Sequence, residues 1–254
     1  MSNYSTENLR TVALVGHGGA GKTSLIEAML MRTGAIAECG SIEKGTTVCD
    51  NDPQEKAVGH SLRTAVVHLD TAMPDLTPVR VHVIDTPGYP DYVGQALSAL
   101  DAVKNVVVVI DAAKGIELMT RRMMKWAGRG GHCRMIVINK IDAEGVDLPK
   151  LLTELKEAFG DGVLPINLPA KGMTRVIDRD TGESDIMTVS DVHRAFIERV
   201  VEVDDATMEK YLEEGDADPS TLHAPITKAL REGHIIPVCF TSAKNLIGIR
   251  DLIK

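Results

Sequence analysis

The chain has 254 residues, of which 44% are hydrophobic and 25% charged, as in an ordinary folded protein. Its 28 Lys and Arg against 36 Asp and Glu give a net charge of −8, which excludes the broad basic surface of a protein that coats nucleic acid. No apolar run approaches the roughly 18 residues of a membrane-spanning helix, and the polar first ten residues do not resemble a secretory signal. We therefore expect a cytoplasmic protein without membrane contact or direct sequence-specific nucleic-acid binding.

Short apolar runs rich in Val and Ile alternate along the chain with amphipathic stretches of helical length. This alternation predicts an α/β fold whose mostly parallel sheet carries helices on both faces. The predicted elements, in chain order, are strand Thr11–Gly16, helix Lys22–Met31, strands Leu62–Leu69 and Val79–Asp85, helix Tyr92–Leu100, strand Asn105–Asp111, helix Glu117–Gly128, strand Cys133–Asn139, helix Leu148–Phe159 and strand Ile235–Phe240.

Two regions depart from the alternation. The connection Thr71–Pro78 is too short for a helical crossover, so the strands on either side of it are predicted to pair antiparallel at one edge of the sheet. Residues 160–233 contain turn-forming Pro and Gly and then a long acidic helical pattern from about Val192 to Glu214. We predict a core formed by residues 1–159 and 234–254, with residues 160–233 as an inserted α+β subdomain.

The run Gly16–Thr23 matches the phosphate-loop pattern G-x-x-x-x-G-K-T between a predicted strand and a predicted helix. In such a loop the backbone N–H groups converge on phosphate oxygens, the lysine contacts the β and γ phosphates, and the threonine hydroxyl ligates Mg²⁺. Amides at the helix N-terminus add to this attraction for an anion. The candidate nucleotide-binding residues here are His17, Gly18, Gly19, Ala20, Gly21, Lys22, Thr23 and Ser24, with Lys22 also a candidate catalytic residue and Thr23 a candidate metal ligand.

A second motif, Asp85-Thr86-Pro87-Gly88, follows the strand that is predicted beside the phosphate loop. A carboxylate in this place would hold a magnesium-bound water, and the Gly88 N–H would hydrogen-bond the γ phosphate. Asp85 is therefore a candidate metal residue and Gly88 a candidate catalytic one. The motif alone is weak, because turns use these residue types for their backbone angles. Its weight comes from its order and spacing relative to the phosphate loop.

Two further motifs point to guanine as the base. In Asn139-Lys140-Ile141-Asp142 the Asp142 carboxylate would accept hydrogen bonds from guanine N1–H and N2–H₂, whereas adenine would face it with an acceptor. An unpaired buried polar group costs about 1–3 kcal/mol, so this position selects guanine. Ser242-Ala243-Lys244 would offer a backbone N–H to guanine O6 and a lysine stem over the base. The candidate residues for the base of GTP or GDP are Asn139, Lys140, Asp142, Ser242, Ala243 and Lys244.

These four motifs, in this order, resemble those of translational GTPases. The stretches Phe196–Arg199 and Asp204–Leu212 resemble the subdomain inserted in elongation factor G and its close relatives, and the long separation between Asp142 and Ser242 leaves room for it. The resemblance implies a P-loop GTPase fold, GTP hydrolysis that acts as a conformational switch, and the ribosome as a partner. It also implies that further domains of the same protein follow this one.

Three departures from the elongation factor G pattern bear on catalysis. The family usually has Asp at the position of Gly19, and a His that is implied to position the attacking water at the position of Tyr89. The family switch segment Arg-Gly-Ile-Thr-Ile appears as Val58-Gly59-His60-Ser61-Leu62, in which Ser61 keeps a hydroxyl for Mg²⁺. Ser61 is thus a candidate metal ligand and Tyr89 a candidate catalytic residue. Such replacements fit the elongation factor G-like paralogues better than the main translocase.

The function expected from these residues is magnesium-dependent GTP binding and hydrolysis, slow in isolation, in an elongation factor G-like protein that acts on the ribosome. The alternative is a guanine-nucleotide sensor with negligible intrinsic hydrolysis, in which Tyr89 has removed catalysis. A P-loop kinase of nucleosides or metabolites is disfavoured, since Asp142 would reject the adenine nucleotides that most such enzymes accept.

Overall fold

The computed structural model describes residues 4–73, 75–179, 181–214 and 222–254. Seven strands form the central sheet: β1 (Leu9–Gly16), β2 (Ala65–Ala72), β3 (Pro78–Asp85), β4 (Asn105–Asp111), β5 (Cys133–Asn139), β6 (Val163–Pro165) and β9 (Ile236–Phe240). Their order across the sheet is β2-β3-β1-β4-β5-β9-β6. Every neighbouring pair runs parallel except β2 with β3, so the predicted antiparallel edge strand is confirmed.

The edge strand β2 begins three residues later than predicted. The backbone N–H groups of Leu62 and Arg63 donate to the carboxylate of Glu55 at 2.9 and 3.1 Å, so they do not pair with β3. Glu55 belongs to the short helix α2 (Pro53–Val58), which Asp52 caps by accepting the N–H of Gln54 at 2.9 Å. The predicted run Leu62–Leu69 is therefore a loop in its first part and a strand only in its second.

Helices cover both faces of the sheet, as predicted. They are α1 (Lys22–Arg32), α3 (Val93–Asp101), α4 (Leu118–Arg129), α5 (Leu148–Phe159) and the short α9 (Ile249–Ile253). Alternate residues of β4 enter opposite cores: Val106 and Ile110 pack in one buried cluster, and Val107 and Val109 pack in the other. Burial on both faces explains why β4 is apolar almost throughout. Within the described ranges, every helix is too short or too polar to span a bilayer.

The described part of the region predicted as an insertion contains a two-stranded antiparallel sheet and three helices. These are β7 (Asn167–Ala170), β8 (Arg175–Asp178), α6 (Val189–Val201), α7 (Asp205–Glu214) and α8 (His223–Glu232). The strand β6 also falls within residues 160–233, but it pairs with β9 in the main sheet. The prediction of one continuous helical stretch from Val192 to Glu214 is wrong. Asp204 accepts the N–H of Thr207 at 3.0 Å and so caps the start of a second helix.

Candidate nucleotide-binding site

The glycine-rich turn between β1 and α1 folds around the ammonium of Lys22. Gly21, just before α1, has a φ of +89°, a conformation that glycine adopts without steric cost. The Lys22 Nζ donates to the carbonyl oxygens of Gly16 at 3.3 Å and of His17 at 3.0 Å. Burial lowers the pKa of Lys22 to about 8, although the carboxylate of Asp85 opposes this shift. The turn thus holds a cation where the sequence motif predicts the phosphates.

Two residues of the predicted phosphate loop lie beneath it. The His17 ring is 1% exposed; its Nδ1 donates to the Gly18 carbonyl at 3.0 Å, and its Nε2 accepts the Asp111 N–H at 3.2 Å. Because a carbonyl only accepts, the proton lies on Nδ1, and burial lowers the pKa of His17. Ala20 is fully buried. From these positions His17 and Ala20 can offer a nucleotide only their backbone groups.

The three predicted metal residues are adjacent. The Thr23 Oγ1 donates to Asp85 Oδ2 at 2.6 Å and lies 3.3 Å from the Ser61 Oγ. The other oxygen of Asp85 is buried and has no hydrogen-bond partner among the described residues, and burial raises the pKa of Asp85 to about 6. Hydroxyl and carboxylate oxygens are the ligands that Mg²⁺ prefers. The unpaired oxygen beside two hydroxyls therefore fits a magnesium ion.

Two acidic residues that no motif indicated complete this region. The Ser61 Oγ donates to Asp50 Oδ1 at 2.7 Å, although Asp50 lies 11 residues earlier in a polar loop. Glu27, on α1, is 1% exposed and accepts the backbone N–H groups of Gly40 at 2.8 Å and Val48 at 2.6 Å. Nothing in the sequence distinguishes Glu27 from a solvent-facing helical glutamate. The only signal for Asp50 is its position shortly before the hydroxyl of Ser61.

The predicted catalytic residues meet at the phosphate loop. A Cβ at Gly88 would lie 2.4 Å from the Lys22 Nζ and 2.5 Å from the His17 carbonyl oxygen, so only glycine fits there. The Tyr89 ring packs on the loop, since a Cβ at Gly18 would lie 2.9 Å from the ring. The side chain of Tyr89 remains 41% exposed. Lys22, Gly88 and Tyr89 thus occupy one end of the loop.

Gly88 lies so close to Lys22 and His17 that a larger residue should disturb the site. Gly88→Ala should weaken GTP binding by about tenfold or more, because the added methyl group must displace either Lys22 or the loop backbone. Gly94→Ala is the matched control, since nothing lies within 4 Å of a Cβ there. Titration calorimetry with a non-hydrolysable GTP analogue measures both variants. Equal affinities for Gly88→Ala and Gly94→Ala would contradict this packing.

At the other end of the site, Asn139 hydrogen-bonds both the phosphate loop and the loop that contains Ala243. Its Nδ2 donates to the Ala20 carbonyl at 3.1 Å, and its Oδ1 accepts the Ala243 N–H at 3.0 Å. The Lys140 Nζ donates to the Gly19 carbonyl and to Asp111 Oδ2, both at 2.7 Å. These contacts align the phosphate loop with the motifs predicted to bind the base.

The exposed carboxylate of Asp142 is held by a residue that the motifs did not include. Asn245 donates from its Nδ2 to Asp142 Oδ2 at 2.9 Å, and its backbone N–H donates to the Ser242 Oγ at 3.2 Å. Ser242 itself is fully buried. Asn245 therefore connects the two loops predicted to contact guanine.

All these groups surround one cleft of about 920 Å³, a size typical of small-molecule sites. Four predicted residues, His17, Ala20, Asp85 and Ser242, lie behind its wall. The predicted residues that line the cleft are Gly18, Gly19, Gly21, Lys22, Thr23, Ser24, Ser61, Gly88, Tyr89, Asn139, Lys140, Asp142, Ala243 and Lys244.

The family described as "Elongation factor Tu GTP binding domain" matches residues 7–254. The chain belongs to this family. Membership implies guanine-nucleotide binding and GTP hydrolysis, and it confirms the P-loop GTPase fold predicted from the motifs.

Several individual proteins are similar to this chain. The GTPase domain is 32% identical to the elongation factor G-like protein of Mycobacterium tuberculosis, over 97% of this chain and 36% of the relative. It is 30% identical to the tetracycline resistance protein TetO of Campylobacter coli, over 96% of this chain and 36% of the relative. A crystal structure of a Thermus thermophilus protein matches with a TM-score of 0.85 and 34% identity, over 96% of this chain and 39% of the other. The chain is thus similar to elongation factor G-like proteins, and it spans less than two fifths of the length of the proteins compared.

Proposed function

We propose that this GTPase domain is the magnesium-dependent switch of a translation factor that acts on the ribosome. The observation that carries the proposal is the hydrogen-bonded series from Asp85 through Thr23 and Ser61 to Asp50. It joins the phosphate loop and the end of β3 to the loop that contains Ser61. A change at the γ phosphate would thereby change the order of that loop, as in other GTPase switches.

Different residues of the site contact the phosphates of GTP and the magnesium ion. Lys22 neutralises charge on the β and γ phosphates, and the Gly88 N–H donates to the γ phosphate. Thr23, Ser61 and Asp85 would hold Mg²⁺, which when bound offsets the charge that develops on the phosphate oxygens.

The base end of the site discriminates between nucleotides. The Asp142 carboxylate accepts the guanine N–H groups, and Lys244 covers the base with its aliphatic stem. Asn139 and Lys140 keep this end aligned with the phosphate loop.

In the proposed domain organisation, the nucleotide-binding residues lie in the core and outside the insertion. Residues 1–159 and 234–254 form the nucleotide-binding core, and residues 160–233 form an insertion whose strand β6 joins the core sheet. A ribosomal partner would place the protein in the cytoplasm.

Single-turnover GTP hydrolysis, measured with and without ribosomes and with Mg²⁺ or EDTA, tests the proposal. We expect GTP to bind in preference to ATP, binding to weaken when EDTA removes Mg²⁺, and ribosomes to accelerate phosphate release. Equal affinities for ATP and GTP, or a GTP affinity that EDTA leaves unchanged, would contradict the assigned chemistry. Ribosomes without effect on turnover would favour the nucleotide-sensor alternative.

Intrinsic hydrolysis should be slow, well below the roughly 1–100 s⁻¹ of phosphoryl-transfer kinases. The hydroxyl of Tyr89 is a weaker proton acceptor for the attacking water than an imidazole nitrogen, and Gly19 supplies no carboxylate beside the phosphates. Tyr89→His should raise the ribosome-stimulated rate by about tenfold or more, while the neighbouring Tyr92→His should not. A fast wild-type rate that Tyr89→Phe leaves unaltered would show that Tyr89 does not limit turnover.

A further inference from the structure

The solvent-facing side of α4 carries four positive charges and no negative charge. Residues on its other side, such as Met123 and Met124, are buried in one of the apolar clusters. The 12 residues of α4 include no Asp or Glu, and Glu117, just before the helix, has a carboxylate oxygen 3.4 Å from the His17 Nδ1. The exposed cations, which form the α4 basic face, are Arg121, Arg122, Lys125 and Arg129.

The α4 basic face is not neutralised within the fold. In the part of the chain that the structure describes, none of its four side chains forms an ion pair. Lys125 is four residues from both Arg121 and Arg129, a spacing at which like charges repel and destabilise a helix. The next two helices of the chain mix charges of both signs, namely Lys150, Glu154, Lys156 and Glu157 on α5 and Asp191, Arg194, Glu198 and Arg199 on α6. Because the α4 basic face lowers the stability of the fold, a partner that binds it explains its charges better than the fold does.

We propose that the α4 basic face docks on the phosphate backbone of ribosomal RNA. The inference rests on the proposed function and names the chemistry that this domain contacts on its partner. The net charge of −8 repels a polyanion over most of the surface, so a contact with RNA has to be confined to a local patch such as this one. Contacts to phosphates carry no sequence information, which agrees with the expectation that the domain does not bind nucleic acid sequence-specifically.

The arrangement of the four cations favours RNA over an acidic protein. From Arg121 to Arg129 the helix rises about 12 Å, and each strand of a nucleic-acid duplex carries one negative charge about every 3 Å along its axis. The face therefore spans about four phosphates of one strand. Protein–protein interfaces keep charged residues away from their centre and place apolar side chains there. On α4 the centre of the face is Lys125, and the exposed Leu118 lies at the end of the helix.

The α4 basic face lies next to the nucleotide-binding cleft but outside it. The Arg121 N–H donates to the Glu117 carbonyl at 3.1 Å, and the Glu117 carboxylate approaches the buried ring of His17 in the phosphate loop. The four cations of the face do not line the cleft. RNA docked on α4 would therefore hold the cleft near the ribosomal surface without changing the affinity for nucleotide. The affinity for GTP reports on the cleft, and the affinity for RNA reports on α4.

Two double variants each remove half of the α4 basic face: Arg121→Gln with Arg122→Gln, and Lys125→Gln with Arg129→Gln. Binding to ribosomes is measured with a non-hydrolysable GTP analogue at several salt concentrations. Each cation that neutralises a phosphate contributes about 0.7–0.9 to the slope of log affinity against log salt concentration. We expect each double variant to lower the slope by about 1.5 and the affinity in 0.1 M salt by about tenfold. The quadruple variant should lower the slope by about 3.

The control, Lys150→Gln with Arg194→Gln, makes the same change in net charge as each double variant, at exposed side chains of α5 and α6. Its slope should equal that of wild type, and its affinity for ribosomes should stay within about twofold. All variants should bind the GTP analogue as wild type does when ribosomes are absent. The α4 variants should unfold at the wild-type temperature or above it, since repulsion between like charges is relieved. A lower unfolding temperature would show that the cations support the fold, and it would overturn the inference.

Ribosomal RNA stripped of protein distinguishes RNA from an acidic protein as the partner. In about 0.05 M salt, wild type should bind this RNA at least about tenfold more tightly than the quadruple variant does. If the quadruple variant loses affinity for ribosomes while both proteins bind the RNA equally or not at all, the face docks on an acidic protein and the inference fails. Equal ribosome affinities and salt slopes for wild type and the quadruple variant would also overturn it. If wild type binds neither GTP nor ribosomes, the proposed function itself fails.

Discussion

Lys22→Ala is expected to weaken GTP binding by about a hundredfold or more without unfolding the protein. The Lys22 ammonium donates to the carbonyl oxygens of Gly16 and His17 in the loop and belongs to neither large apolar cluster, so its loss should leave the apolar core intact. Each hydrogen bond between charged groups contributes about 1.5–3 kcal/mol, and loss of the contacts to two phosphates therefore corresponds to at least a hundredfold change in Kd.

The control for this variant is Lys150→Ala, which changes a solvent-exposed lysine on α5 that pairs with Glu154. Calorimetry gives the affinities, and thermal unfolding without nucleotide reports the fold. Unchanged GTP affinity in Lys22→Ala would show that this turn does not bind phosphate. A large loss of thermal stability without nucleotide would show instead that the lysine supports the fold.

Asp142→Asn should weaken GTP binding by about tenfold or more, on the order of 1.4 kcal/mol, and strengthen the binding of xanthosine nucleotides. The amide can donate to the xanthine C2 oxygen, which the carboxylate would repel. The loop should persist, since the amide oxygen of the variant can still accept from Asn245 as the carboxylate does at 2.9 Å.

Glu144→Gln, an exposed change of the same kind two residues away, serves as the control for Asp142→Asn. Competition of GTP and xanthosine triphosphate against a fluorescent guanine nucleotide measures both affinities. If Asp142→Asn lost affinity for both nucleotides equally, the carboxylate would support the loop and would not read the base.

Residues that belong to a recognisable motif could be predicted even where their partners are distant, as Asp85 is from Thr23, whereas residues outside any motif could not. The phosphate loop joins a strand to the helix directly after it, so its glycines and Lys22 could be recognised from one short run of sequence. Asp50 and Glu27 gain their roles from the loop that returns across α1, and no local pattern encodes that return. The helical pattern from Val192 to Glu214 failed for a related reason. Charged residues occur on both sides of the break between α6 and α7, so the composition does not change there. The local sign of the break is Asp204, which caps the second helix.

The carboxylate of Glu27 couples two parts of the loop after α1. It holds the amides of Gly40 and Val48 at once, and each such bond to a charged group contributes about 1.5–3 kcal/mol. If only one amide is released, one carboxylate oxygen of Glu27 loses its hydrogen bond while the side chain is still only 1% exposed. A half-open loop is therefore higher in free energy than a loop that is fully docked or fully withdrawn. Residues 40–48 should therefore dock against α1 and withdraw from it as one unit.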